Sequence, residues 1–177
     1  MPKLYQHLLF LLLLTSCASL SRRSYSVEEV IKKSDWVKVE EDREIASDKN
    51  PVKLQWPLKQ VSINSKFGTR SGHHHYGLDL KADMGTPIYA AGAGVVVFAG
   101  DQISGYGNTV IIKHSKKYWT LYAHAEELVV KPGEKVKVGQ CIAYSGDSGN
   151  ASGPHLHFEV RIGVQAVNPV NLINLTN

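Results

Sequence analysis

The sequence predicts an all-β, antiparallel fold, folded either as two sheets or as a partly open barrel around a groove. Three observations carry that reading. From residue 51 onward the chain is a succession of short apolar runs, its 15 glycines fall mostly between those runs, and no stretch of this part sustains a helical period. Strands are expected over 60–67, 76–80, 88–98, 109–114, 119–124, 135–144 and 155–162. The turns carry Gly68, Gly72, Gly85, Gly100, Gly105, Gly107, Pro132-Gly133 and the segment 146–154. In the last strand, Gly153-Pro154-His155-Leu156-His157-Phe158-Glu159-Val160-Arg161, polar and apolar residues alternate. Period 2 puts His155, His157, Glu159 and Arg161 on one face and Leu156, Phe158 and Val160 on the other. His75-Tyr76-Gly77-Leu78-Asp79 alternates likewise, so His75 and Asp79 are expected on one face of one strand. By the same rule Thr120, Tyr122 and His124 share a face, with Leu121 and Ala123 opposite.

Ahead of that body, residues 1–16 have the features of an export signal: one basic residue, Lys3, an apolar run over 8–14, and Thr15-Ser16 before Cys17. The run is too short to span a bilayer. Leu14-Thr15-Ser16-Cys17 resembles the lipobox of bacterial lipoproteins, which implies lipidation of Cys17 as the first mature residue and stable attachment to a membrane. Ala18, where an aspartate would signal retention, implies by the same resemblance the outer membrane, with the protein facing the periplasm. Residues 17–50 are charged and serine-rich and read as a tether. Within it, Ser26-Val27-Glu28-Glu29 forms a capping box opening a short helix through Lys33; its stripe of Val27, Val30 and Ile31 either packs on the domain or frays. Residues 51–177 are the domain itself.

Composition narrows the partners. The formal charge of +4 is modest, the basic residues are scattered among acids and aromatics make up only 8%, which gives nucleic-acid binding little support, and no nucleic-acid partner is expected. A mildly basic surface suits weak steering towards an anionic polymer or a lipid surface. A monomer is expected. With Cys17 committed to lipid, Cys141 has no intrachain partner and reads as a small core residue of its strand.

Of the eight histidines, His7 lies in the signal, and His73, His74, His75, His124, His155 and His157 fall in three clusters. Two imidazoles and a carboxylate are an N and O set that binds Zn²⁺ tetrahedrally and leaves one position for water or substrate. Zn²⁺ lowers the pKa of such a water from about 15.7 towards about 7 and polarises a scissile carbonyl. Spacing alone does not say which histidine of each cluster is the ligand.

The pattern resembles the M23 metallopeptidases, the lysostaphin or LytM-type peptidoglycan endopeptidases. The marks are Trp56-Pro57, Phe67-Gly68-Thr69-Arg70, His75-Tyr76-Gly77-Leu78-Asp79, Gly85-Thr86-Pro87-Ile88, Gly107-Asn108, Tyr122-Ala123-His124, Pro132-Gly133 with Val138-Gly139, and the strand from Gly153 to Glu159. The resemblance implies one Zn²⁺ held by His75, Asp79 and His157, with His124 and His155 catalytic without binding metal. It implies a zinc endopeptidase that cuts peptide stems of peptidoglycan with metal-activated water, remodelling the cell wall. Family members divide between glycine bridges and D-alanyl to diaminopimelate crosslinks, and the lipoprotein signal favours the latter. A second function compatible with the resemblance is a non-catalytic wall-binding lipoprotein that activates a cell-wall amidase; a third is a structural lipoprotein gripping the wall.

Several neighbours have supporting readings. Gly77 leaves room for a metal or for close backbone approach, or marks a bulge. Glu159 is placed to hydrogen-bond or ion-pair behind the histidines. Asn108 reads as a turn-stabilising residue, Arg70 as a partner of a carboxylate or of substrate, His73 and His74 as a polar loop entrance, and His114 as an exposed strand end.

Overall fold

A computed structural model describes residues 23–34, 52–70 and 72–173. The export signal over 1–16 and, of the tether over 17–50, residues 17–22 with the lipobox cysteine Cys17 and residues 35–50 lie outside the described residues. Two short helices, α1 (Val27–Lys33) and α2 (Pro169–Ile173), flank twelve strands, and neither is long and apolar enough to cross a membrane. The strands are β1 (Ile63–Ser65), β2 (Gly68–Arg70), β3 (His73–His75), β4 (Leu78–Lys81), β5 (Pro87–Tyr89), β6 (Gly94–Gly100), β7 (Asn108–Lys113), β8 (Tyr118–Leu128), β9 (Lys135–Val136), β10 (Cys141–Ser145), β11 (His155–Ile162) and β12 (Gln165–Val167). The large sheet runs β1-β4-β11-β8-β7-β6-β9, with β12 on β11, β10 on β8 and β5 on β10; β2 and β3 form a separate ribbon. Every strand pair is antiparallel. The mostly antiparallel all-β architecture is as expected, and the sheet does not close into a barrel.

Strand boundaries depart from the expected ones where turns intervene. The run over 88–98 divides into β5 and β6 at Ala90 to Ala93, and the run over 135–144 divides into β9 and β10 at a turn where Gly139 has φ 74°. The run over 119–124 is part of the eleven-residue β8. His75 and Asp79 do not share one strand. His75 ends β3 in the small ribbon and Asp79 lies in β4 of the large sheet, with the chain crossing between them at Tyr76-Gly77.

Each face of the large sheet has its own core. Leu78, Leu80, Leu156, Phe158, Val160 and Tyr122 fill one, together with Ile88 and Ile142 from β5 and β10. The other gathers Leu121, Ala123, Trp119, Ile111 and Ile103 beneath the Val27, Val30 and Ile31 stripe of α1. That stripe therefore packs. The capping box is present, with the Glu29 N–H donating to Ser26 Oγ (3.1 Å) and the Ser26 N–H to Glu29 Oε2 (2.9 Å). Two further hydrogen bonds fasten the helix end: Trp119 Nε1 donates to Ser34 Oγ (3.2 Å) and Lys113 Nζ to the Ser34 carbonyl (2.9 Å).

Candidate metal centre

β11 lies between β4 and β8, and register brings the site together: His157 is opposite Asp79 on one side and Ala123 on the other. Directly opposed residues project from the same face. His157 and Asp79 thus stand side by side, while Leu156, Phe158, Leu78 and Leu80 anchor both strands in the first core. His75 reaches them from the ribbon because the chain passes tightly over β11 at Gly77. A Cβ there would lie 2.5 Å from the Phe158 carbonyl oxygen and 2.9 Å from His157 Cε1, so this crossing requires glycine. Of the alternatives open for Gly77, close backbone approach is the one found.

His75 Nε2, Asp79 Oδ1 and His157 Nδ1 form a triangle with edges of 3.0, 3.0 and 3.1 Å. Their other atoms fix the protons. His75 Nδ1 is 2.8 Å from the Lys66 carbonyl oxygen, and His157 Nε2 is 3.0 Å from Glu159 Oε1. Both partners only accept, so both nitrogens carry the N–H. In the neutral rings this leaves three lone pairs, one carboxylate and two imidazole, converging with no hydrogen between them. Such a cluster needs a cation at its centre. Without a metal that cation is a proton. Burial works to lower the pKa of His157, yet the Asp79 and Glu159 carboxylates prevail and push it up to about 8. Asp79 is likewise held far below the usual carboxylate range, burial being outweighed by hydrogen bonds to His157 and His75. The N, N and O donor set and its convergence fit a small divalent ion of zinc type.

Behind the triangle, Glu159 is fully buried and accepts from three donors: His157 Nε2, Tyr106 Oη at 2.7 Å and Arg161 Nε at 2.6 Å. Burial opposes its ionisation, but His157 and Arg161 keep its pKa below normal. Burial and the Glu159 charge push the Tyr106 hydroxyl far up, so it stays a donor. The supporting role expected for Glu159 is the one it has, whereas Tyr106 carries no sequence signal beyond a turn between Gly105 and Gly107.

His155 and His124 flank the triangle. Each donates Nδ1–H to a backbone carbonyl, His155 to Gly153 (2.8 Å) and His124 to Ser148 (2.7 Å). Each therefore turns a basic Nε2 to the cleft. His155 Nε2 is 3.7 Å from Asp79 Oδ1, and the His124 and His155 ring centroids are 4.8 Å apart. Burial is the main cause holding the His124 pKa below the ordinary imidazole value.

His124 reaches this face by a route that alternation does not foresee. Thr120 and Tyr122 oppose Val160 and Phe158, and Tyr122 points into the first core; Leu121 and Ala123 oppose Glu159 and His157. Strict period 2 would bury His124 with Tyr122. Instead His124 has φ 63°, the only positive value among described non-glycine residues, and this turns its ring to the metal-site side. A left-handed residue of this kind costs about 1–3 kcal/mol. The conformation is held by its N–H donating to the Tyr106 carbonyl (3.0 Å) and by Asn108 Nδ2 donating to the Ala125 (3.0 Å) and Glu126 (3.1 Å) carbonyls just beyond. Ser148, which receives His124, is itself fixed by donating Oγ–H to the Ala125 carbonyl at 2.7 Å.

Other expectations resolve differently. His114 is buried, not exposed; Nδ1 is 2.8 Å from the Ala93 carbonyl oxygen and Nε2 is 2.7 Å from Thr120 Oγ1. It follows directly on the end of β7, a strand between β6 and β8, and its ring is held inside by those two hydrogen bonds although Ser115-Lys116-Lys117 beside it are polar. Cys141 is half-buried at the start of β10 and not a core residue. His73 and His74 are exposed on β3, with His74 against the Phe67 and Tyr76 rings. Arg70 lies at the end of β2.

A model of peptidase family M23 matches residues 73–169, which contain every residue of this cluster. The lipoprotein YgeR of Escherichia coli (strain K12) is 48% identical over 118 residues, covering 67% of this chain and 46% of YgeR. Murein hydrolase activator NlpD from the same organism is 39% identical over 119 residues, covering 67% of this chain and 31% of NlpD. This chain therefore matches less than half the length of either relative. Among solved structures, the catalytic domain of the antimicrobial peptidase lysostaphin from Staphylococcus simulans superposes with a TM-score of 0.61 at 30% identity, over 64% of this chain and 92% of that domain.

Proposed function

This chain belongs to peptidase family M23, and on that premise we propose that it is a zinc-dependent endopeptidase that hydrolyses peptide crosslinks of peptidoglycan. His75, Asp79 and His157 hold one zinc ion; His124 and His155 are catalytic. In this reading residues 1–16 are an export signal, Cys17 carries the lipid anchor, 17–50 tether the enzyme and 51–177 form the peptidase domain. The protein works as a monomer in the cell envelope, on the periplasmic face of the outer membrane. The observation that carries the proposal is the triangle of three converging lone pairs, with tautomers set by the Lys66 carbonyl and Glu159.

When bound, zinc supplies Lewis acidity to the scissile carbonyl and to an attacking water. The remaining work falls to the chain. A neutral His124 or His155 takes the proton of the attacking water at Nε2. Because Nδ1–H is already committed to a carbonyl, the imidazolium formed can give that proton back only from Nε2, to the departing amine. The partner imidazole, also with its Nε2 lone pair towards the cleft, accepts from the water and orients it; only the ring that carries the transferred proton at Nε2 can donate to the developing oxyanion. Purified full-length protein with one equivalent of zinc should cut crosslinked muropeptides, and His124→Ala should slow cutting by about 10²–10⁴-fold. Intact muropeptides with wild type would remove the enzyme reading. His157→Ala should lose zinc and His155→Ala should keep it; the reverse would overturn the division of roles.

One observation favours a second reading. The likeness to a murein hydrolase activator makes stimulation of a cell-wall amidase the alternative. Stimulation that survives in a His75→Ala, Asp79→Ala double variant would establish it.

A further inference from the structure

β4 continues past Asp79 to Lys81, and Lys81 is directly opposite His155 in the ladder with β11. The strand buries Leu78 and Leu80, so Asp79 and Lys81 share the face that carries the histidines. Opposed residues hold their Cβ atoms about 4.5–5.5 Å apart, which places a flexible cation within reach of the His155 ring and of whatever is bound there. Lys81 is exposed and has no ion-pair partner among the described residues. It also lines an open groove of about 730 Å³. Gln60, Ser62 and Thr86 give that groove hydrogen-bonding walls, and Lys59 lies across it with Nζ 5.7 Å from the Tyr89 ring centroid. Asp83 is the one carboxylate in the lining. The groove thus offers two cations and one anion, and it shares Lys81 with the strand position opposite His155.

Resting on the endopeptidase reading, we propose that Lys81 is a specificity-determining residue that binds a free carboxylate adjacent to the scissile bond. The substrate class follows from that chemistry. A crosslink made through the second amine of a diamino diacid leaves a carboxylate on the carbon bearing the scissile nitrogen, and a substrate strand running from the metal triangle past His155 delivers that group to Lys81. An oligoglycine bridge presents no charge there and would leave the ammonium unanswered. Lys81 therefore selects diamino-diacid crosslinks over glycine bridges.

The test uses the full chain and two crosslinked peptides that differ only in a carboxylate or a carboxamide next to the scissile nitrogen. Wild type should prefer the carboxylate by at least about tenfold, the scale of one hydrogen bond to a charged group, expressed in KM and not in kcat. Lys81→Met should bring both peptides to one KM, and Lys81→Arg should restore the preference. Equal KM values in wild type, or a preference that persists in Lys81→Met, overturn the proposal. If wild type cuts neither peptide, the enzyme reading has failed, and calorimetric binding of the same peptides decides Lys81 separately. Tighter binding of the carboxylate form that Lys81→Met abolishes supports the subsite; equal binding or none refutes it.

Discussion

Glu159 concentrates the most consequence in one side chain. It holds the His157 tautomer, the Tyr106 hydroxyl and the Arg161 guanidinium with no solvent exposure. Glu159→Gln offers a single acceptor in place of two and puts an NH₂ group against a donor. Arg161 is then a buried charge without its partner, a change that costs about 3–5 kcal/mol in stability. Zinc affinity should fall by about 10–100-fold as His157 loses its orientation. A urea melt and a competition titration against a chromophoric chelator measure the two effects; unchanged affinity in a folded variant would separate Glu159 from the metal. Tyr106→Phe, which removes one hydrogen bond, should do less to both. At this scale the sequence was half legible. Alternation placed Glu159 behind His157 because both are on one regular strand, but Tyr106, Ser148 and the Lys66 carbonyl come from turns, where no period links position to direction.

Between elements, the sequence displayed strands and hid their breaks. β11 and β4 were legible because both bury apolar rows of period 2. β8 departs from alternation at its end, since the left-handed backbone at His124 reverses the face, and nothing in Tyr122-Ala123-His124 announces it. α1 was legible through its capping box, but its contacts are long-range. Tyr25 N–H donates to the Gln102 carbonyl at 2.8 Å, and Tyr25 bridges Ile103, whose carbonyl accepts from the Tyr106 N–H at 3.2 Å. The N-terminal segment is thereby coupled to the turn that supports both His124 and Glu159. Ile31→Asp should undock α1, because releasing the helix costs less than burying a carboxylate in the core around Trp119 and Leu121. With Trp36 and Trp56 replaced by Phe, the emission of Trp119, 2% exposed in the native fold, should shift to the red. Zinc affinity should fall with it. An unshifted spectrum would mean that the helix adds nothing to that core.

For the molecule as a whole, two buried histidines set opposite limits on stability with pH. Burial lowers His114 to about 4, against an ordinary value of 6.5. Between those values the unfolded chain binds more protons, so the contribution of His114 is complete above pH 6.5 and is lost as pH falls towards 4. His157 without metal is raised from 6.5 to about 8. Its contribution is complete below pH 6.5 and is lost as pH rises through 8. The depressed Asp79 and Glu159 carboxylates add a further acid loss at lower pH. Chelator-treated protein should therefore be most stable near pH 6.5, its unfolding constant changing by up to about tenfold per pH unit for each group on either side. If zinc takes the position of the His157 proton, as proposed, the alkaline decline should vanish when the metal is restored while the acid decline remains. Thermal melts from pH 4 to 9, with and without zinc, separate the two limbs. His114→Gln, which cannot titrate, should flatten only the acid limb. An alkaline decline that persists in the zinc-loaded protein would mean that His157 does not hold the ion.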